Sequence, residues 1–125
     1  MVGDSEIVLL VDDDAAVRAA LKFALEVEGF RVRLYAGPEP LLAERDLPAK
    51  GCIVIDYRMP VVDGLELVAR LRGRGVELPI LMISGRVSDD LRTRAARLGV
   101  RTVLEKPLSD AALVESIRSA VDGRA

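Results

Sequence analysis

Three stretches of the sequence are apolar almost without interruption and only five or six residues long: IVLLVD (7–12), CIVID (52–56) and ILMIS (80–84). Such runs are too short for a helix, and they leave no face for water. They fit strands of a parallel sheet that is covered on both sides. The cover has to come from helices, and the segments between the runs have the spacing for them. After the first run, Val17, Ala20, Leu21, Ala24 and Val27 recur at helical intervals, and Gly29 is placed to stop the helix. RVRLY (31–35) alternates and reads as an edge strand, while Gly37, Pro38 and Pro40 suit the opening of a short helix through about Arg45. Asp63 is placed to cap a helix carrying Leu65, Val68 and Leu71, ended by Gly73 or Gly75. Ser88, Asp89 and Asp90 open an arginine-studded helix closed by Gly99. TVLE (102–105) reads as a fifth strand, and Ser109 caps a last amphipathic helix with Leu113, Val114, Ile117 and Val121.

Five strands alternating with five helices predict an α/β protein with a parallel sheet. Right-handed crossovers then place helices on both faces, a doubly wound layout. The 125 residues suffice for one core, and with no repeat or linker in sight the reading is a single domain over 1–125, its core about 6–122. Several function classes drop out on composition. The chain has no histidine, so neither a Ser-His-Asp apparatus nor an imidazole metal site is available, and a metal has to be held by oxygen. Neither a G-x-G-x-x-G nor a Walker A loop is present. The net charge of −2 gives no broad basic field for nucleic acid. No apolar run approaches the roughly 20 residues needed to span a bilayer. MVGDSE lacks the basic and apolar regions of a secretion signal. Cys52 is the lone cysteine and reads as a small apolar strand residue, which fits a reducing cytoplasm.

In open α/β sheets, ligands bind beyond the carboxyl ends of the strands. There the first strand delivers Asp12, Asp13 and Asp14, the third Asp56, the fourth Ser84, and the fifth is followed by Lys106. If the first and third strands are neighbours, several carboxylates converge on one region, where they repel unless a cation neutralises them or some keep their protons. An oxygen-loving divalent ion such as Mg²⁺ does this and retains room for phosphate oxygens. The cluster therefore reads as half of a metal site whose other half is a phosphoryl group, with Lys106 supplying charge and the Ser84 hydroxyl a hydrogen bond. Taken singly, each piece has a plain alternative: a solvated loop or helix cap for the aspartates, a turn for Ser84–Gly85.

With VDDD (11–14), DYRMPVVDG (56–64), ISG (83–85) and EKP (105–107) in this order, the chain resembles the receiver domain of bacterial two-component response regulators, from Ile7 to about Val121. The resemblance implies a flavodoxin-like sheet of order 2-1-3-4-5. It makes Asp56 the phosphoryl acceptor, with Mg²⁺ held by Asp13, Asp56 and the backbone carbonyl of Arg58, and Asp12 acting partly through bound water. Ser84 and Lys106 would contact the phosphoryl oxygens, and the Lys106–Pro107 bond would be cis. The implied partners are a sensor histidine kinase or phosphotransfer protein upstream. Downstream they are an effector protein or a C-terminal DNA-binding domain, with a homodimer forming on phosphorylation. The output would be a shift of the face made by the fourth helix, fifth strand and fifth helix; beyond self-phosphorylation and autodephosphorylation no enzyme activity is implied.

The sequence departs from the family at Val103, where receivers usually carry Tyr or Phe. A β-branched side chain cannot swing a ring between core and solvent. Arg58 and Arg86 stand two residues after Asp56 and Ser84, positions linked in the family to the lifetime of the phosphoryl group. Two other readings stay open at this point. One is a receiver-like binding module that does not use phosphorylation. The other is a haloacid-dehalogenase-like phosphohydrolase, in which the D-x-D of LLVDDDA would make Asp12 the nucleophile.

Overall fold

The computed structural model describes residues 6–122. Its strands are β1 (Ile7–Val11), β2 (Arg31–Tyr35), β3 (Cys52–Asp56), β4 (Ile80–Ser84) and β5 (Thr102–Glu105), and they form one parallel sheet in the order β2-β1-β3-β4-β5. The helices α1 (Ala15–Val27), α2 (Pro38–Ala43), α3 (Gly64–Gly73), α4 (Asp89–Arg97) and α5 (Asp110–Val121) alternate with them. Because strand side chains alternate faces, each apolar run feeds two cores. Leu9, Val11, Ile53, Ile55, Ile80 and Met82 pack with residues of α2, α3 and α4 on one side. Val8, Leu10, Cys52, Val54, Leu81 and Ile83 pack with residues of α1 and α5 on the other. The uninterrupted apolar runs are the direct consequence of being buried twice over. As expected, Cys52 lies fully inside a strand and RVRLY forms an edge.

The helix starts follow their capping residues. Asp63 accepts from the Glu66 amide, Ser88 from Leu91 and Ser109 from Ala112, each satisfying a donor that the first turn leaves free. Asp14 does the same for α1, accepting from Ala16 and Val17. Gly29, Gly75 and Gly99 follow α1, α3 and α4 with positive φ.

Two expectations are corrected. The short second helix ends at Ala43 rather than near Arg45. Glu44 turns extended, and its carboxylate accepts a 2.7 Å hydrogen bond from the Tyr35 hydroxyl, which draws the chain back toward β2. The buried stripe of α1 is also narrower than the sequence spacing suggests. Leu25 is fully buried and Leu21 packs against the same core, whereas Val27 lies 67% exposed and Phe23 71%. The helix rests on the sheet along an i, i+4 ridge, and its other apolar positions lie along the groove beside α5.

The loop after β3 returns under tight steric limits. The Gly64 amide donates to the Tyr57 carbonyl at 2.8 Å. A Cβ at this position would lie 2.9 Å from Tyr57 Cα, 3.1 Å from the Asp56 carbonyl oxygen and 3.2 Å from Ile55 Cγ2. Two of those three neighbours are backbone next to the end of β3, so Gly64→Ala is expected to destabilise the fold by about 1–3 kcal/mol. Urea denaturation of the two proteins measures the difference; equal midpoints would mean that the loop can move aside freely.

Candidate functional site

Strand register builds the site. β1 pairs with β3 in steps that end at Val11 with Ile55, so the next step sets Asp12 beside Asp56. β3 pairs Asp56 with Ile83, and β4 pairs Ser84 with Glu105. The Lys106 amide then donates to the Ser84 carbonyl at 2.8 Å, carrying the lysine to the same sheet edge. Carboxylate oxygens of Asp12, Asp13 and Asp56 lie within 4.8 Å of one another. Asp12 and Asp56 are buried while Asp13 is exposed, and Lys106 Nζ stands 3.2 Å from Asp56 Oδ1. The sequence-derived cluster is thus assembled, with the cation against the acid at the end of the central strand.

Ser84 is 1% exposed, and its hydroxyl is engaged with the loop that follows: Oγ donates to the Arg86 carbonyl at 2.8 Å and accepts from the Arg86 amide at 3.3 Å. Arg58 and Arg86 both lie exposed in the loops that flank the cluster. The Lys106–Pro107 peptide is cis.

Burial is the largest influence on both inner carboxyl groups, pushing Asp12 and Asp56 above the ordinary carboxylate pKa. For Asp12, the hydrogen bond from the Asp14 amide (2.9 Å) and then the charge of Lys106 pull the other way. For Asp56, the neighbouring Asp12 charge adds to the rise, and Lys106 opposes it through charge and hydrogen bonding. Three oxygen donors with no nitrogen or sulfur among them suit a hard divalent cation. Such an ion would favour the ionised carboxylates against the burial and like-charge repulsion that raise their pKa values.

The D-x-D reading of the first loop is not supported by this geometry, because the Asp14 carboxylate is taken up in capping α1. Arg18, which the sequence analysis passed over, belongs to the site's frame: its guanidinium donates to the Asp12 carbonyl at 2.7 Å. The available signal was a cation in an early turn of a helix, where the macrodipole favours anions, so that a specific partner is needed.

Both inner acids hold protons more tightly folded than unfolded, so stability falls as pH rises from the ordinary carboxylate range through their raised values. Their ionised forms therefore weaken the fold at neutral pH. Without divalent cations, Asp12→Asn is expected to raise the melting temperature at pH 7 by a few degrees, with the gain shrinking as pH is lowered through that window. Thermal melts across pH check this, and a gain that grew on acidification would contradict the sign.

Comparison with known proteins agrees with the fold. The chain is 37% identical over 112 residues to the transcriptional regulatory protein FixJ of Azorhizobium caulinodans, covering 90% of this chain and 53% of that protein. It is 36% identical over 117 residues to the C4-dicarboxylate transport regulator DctD of Pseudomonas aeruginosa, covering 94% of this chain and 25% of that one. The chain thus spans about half the length of FixJ and a quarter of DctD. The crystal structure of FixJ-N superposes with a TM-score of 0.87 at 31% identity, over 98% of both chains. Full-length FixJ from B. japonicum gives 0.86 at 37% identity, over 94% of this chain and 58% of that one. A family model described as the response regulator receiver domain matches residues 8–118, and the chain belongs to that family.

Proposed function

We propose that this chain is a phosphorylation-dependent signalling receiver, a single domain over 1–125 acting in the cytoplasm, whose Asp56 accepts a phosphoryl group. The observation that carries the reading is the buried Asp56 at the end of the central strand, 3.2 Å from Lys106 and clustered with Asp12 and Asp13. A carboxylate oxygen of Asp56 attacks phosphorus, the bond from phosphorus to the donor breaks, and an acyl phosphate remains on the strand end. The donor side is a sensor histidine kinase or phosphotransfer protein. Asp12, Asp13, Asp56 and the Arg58 carbonyl would hold Mg²⁺, which when bound spreads the charge of the transferring group.

The chain's own residues supply positioning and electrostatics. β3, buried at every position, fixes Asp56 against rotation away from the pocket. Lys106, already paired with Asp56, offers its ammonium to a phosphoryl oxygen. Ser84 donates to another oxygen only by leaving the Arg86 carbonyl, and that exchange links the acceptor to the loop carrying the Ser88 cap of α4. The consequence is a population shift of the α4–β5–α5 face. Val103 is buried on β5, so the shift runs through the Ser84 loop without an aromatic rotamer. The readout is an effector protein or a DNA-binding domain, as suggested by longer relatives of which the matched region is about half and a quarter, with homodimerisation as one form of the output.

Acetyl phosphate with Mg²⁺ is expected to add one phosphoryl mass to the wild type and none to Asp56→Asn, read by intact mass. Omitting Mg²⁺ should remove most of the labelling. A folded wild type that takes no phosphoryl group from acetyl phosphate or from a phosphorylated histidine kinase would favour the module that binds without phosphorylation.

One of the exposed guanidinium groups, of Arg58 or Arg86, leans over the phosphoryl group, pairs with it and hinders water. Replacing both by alanine is expected to shorten the phosphorylated state several-fold in a timed decay of the labelled protein. An unchanged or longer lifetime would remove them from that role.

A further inference from the structure

The last turn of α3 carries an arginine whose hydrogen bonds reach two separate segments of the chain. Arg72 is half-buried, and its guanidinium donates to four backbone carbonyls. Nη1 reaches Val76 at 2.8 Å and Leu78 at 2.9 Å, in the segment entering β4. Nε reaches Leu98 at 3.3 Å and Nη2 reaches Gly99 at 3.1 Å, where α4 ends and turns toward β5. A helix C-terminus leaves its last carbonyls without intrahelical partners and carries partial negative charge, so a cation with a planar fork of donors suits it. Gly99 turns the chain here with a φ of +82°, a conformation that favours glycine, and the guanidinium lies against its open face, 3.4 Å from where a Cβ would stand.

Among the described residues, the other end of α4 has no comparable tie. Its first turn is held by its own cap, the Ser88 hydroxyl accepting from the Leu91 amide, and by an ion pair within the helix between Asp90 and Arg94. Only Leu91 and Ala95 bury their side chains fully. The helix is thus tied down by polar bonds at its C-terminal end and rests on one leucine near its N-terminal end.

We infer that Arg72 is a positioning residue that makes the C-terminal end of α4 a fixed pivot, so that rearrangement linked to Asp56 is confined to the Ser84–Arg92 end of the helix. The inference rests on the proposed function and adds which part of α4 moves and what holds the rest. Arg72 lies outside the acidic pocket, so its replacement leaves the acceptor chemistry intact while changing how far the movement spreads.

The test is amide hydrogen exchange on the full chain, with and without acetyl phosphate and Mg²⁺, for wild type, Arg72→Gln and Arg72→Lys. In the unphosphorylated Gln variant, amides at 98–101 are expected to exchange roughly tenfold faster, about what loss of one net hydrogen bond allows, with α1 and α5 unchanged. Phosphorylation of wild type should alter protection at 84–92 and leave 97–101 as it was; in the Gln variant the change should extend through 101. Lysine keeps the charge but loses the fork, so its values should fall between. Asp56 labelling should match wild type in both variants. Should the Gln variant lose global stability, the Lys variant at equal denaturation midpoint supplies the comparison.

A uniform rise in exchange across the molecule, unchanged exchange at 98–101, or a wild-type response as large at 97–101 as at 84–92 would each overturn the pivot. No labelling of Asp56 in wild type would overturn the receiver reading and the pivot's role with it. Labelling with the wrong pattern would overturn the pivot alone.

Discussion

The pairing of β1 with β3 is the contact on which the site depends. It sets two carboxylates, Asp12 and Asp56, side by side at the end of a sheet buried on both faces, where burial raises the pKa of each and the Asp12 charge adds to the rise at Asp56. Neither strand can slip to relieve this. A one-residue shift would turn every side chain of an apolar run to the opposite core. The two cores are filled by different helices, so the register that packs Leu9 and Leu10 correctly also holds the acids together. Packing thus enforces an electrostatic conflict that an isolated loop would relax.

The surrounding groups are arranged to meet that conflict part of the way. Lys106 neutralises some of the charge, the Asp14 amide takes one oxygen of Asp12, and Arg18 fixes the carbonyl behind it. What remains is a pocket with an unmet demand for positive charge and a partly engaged lysine. These are the electrostatic conditions for receiving a dianionic phosphoryl group alongside a hard cation.

Ser84 and Arg72 give the fold two kinds of connection to α4. Ser84 holds the loop before the helix through the Arg86 carbonyl, a neutral bond that a better acceptor can displace. Arg72 holds the far end through charge-assisted bonds to the Leu98 and Gly99 carbonyls, and ties it to the Val76 and Leu78 carbonyls ahead of β4. With Val103 fixed in the core in place of an aromatic switch, this asymmetry in α4 is what the structure offers for transmitting a change.

Much of this was legible in one dimension. Apolar residues at every position of 52–55 and 80–83 demand burial on both faces, and Asp63, Ser88 and Ser109 mark helix starts by short-range hydrogen-bond chemistry, so elements and layers follow from local pattern alone. The candidate acids, hydroxyl and lysine were legible because strand ends in such a sheet share one edge. Long-range geometry decided the rest. The residue pattern by itself left open which of Asp12, Asp13 and Asp14 caps α1, and only the resemblance set Asp13 with the other acids. That α1 buries Leu25 and leaves Phe23 and Val27 outside, or that Glu44 ends α2 early by meeting Tyr35, had no sign in the sequence. Arg18 and Arg72 were silent for the same reason. A guanidinium bound to backbone carbonyls needs no particular residue type at the other end, so its partners leave no mark in the sequence and are chosen only when the chain is folded.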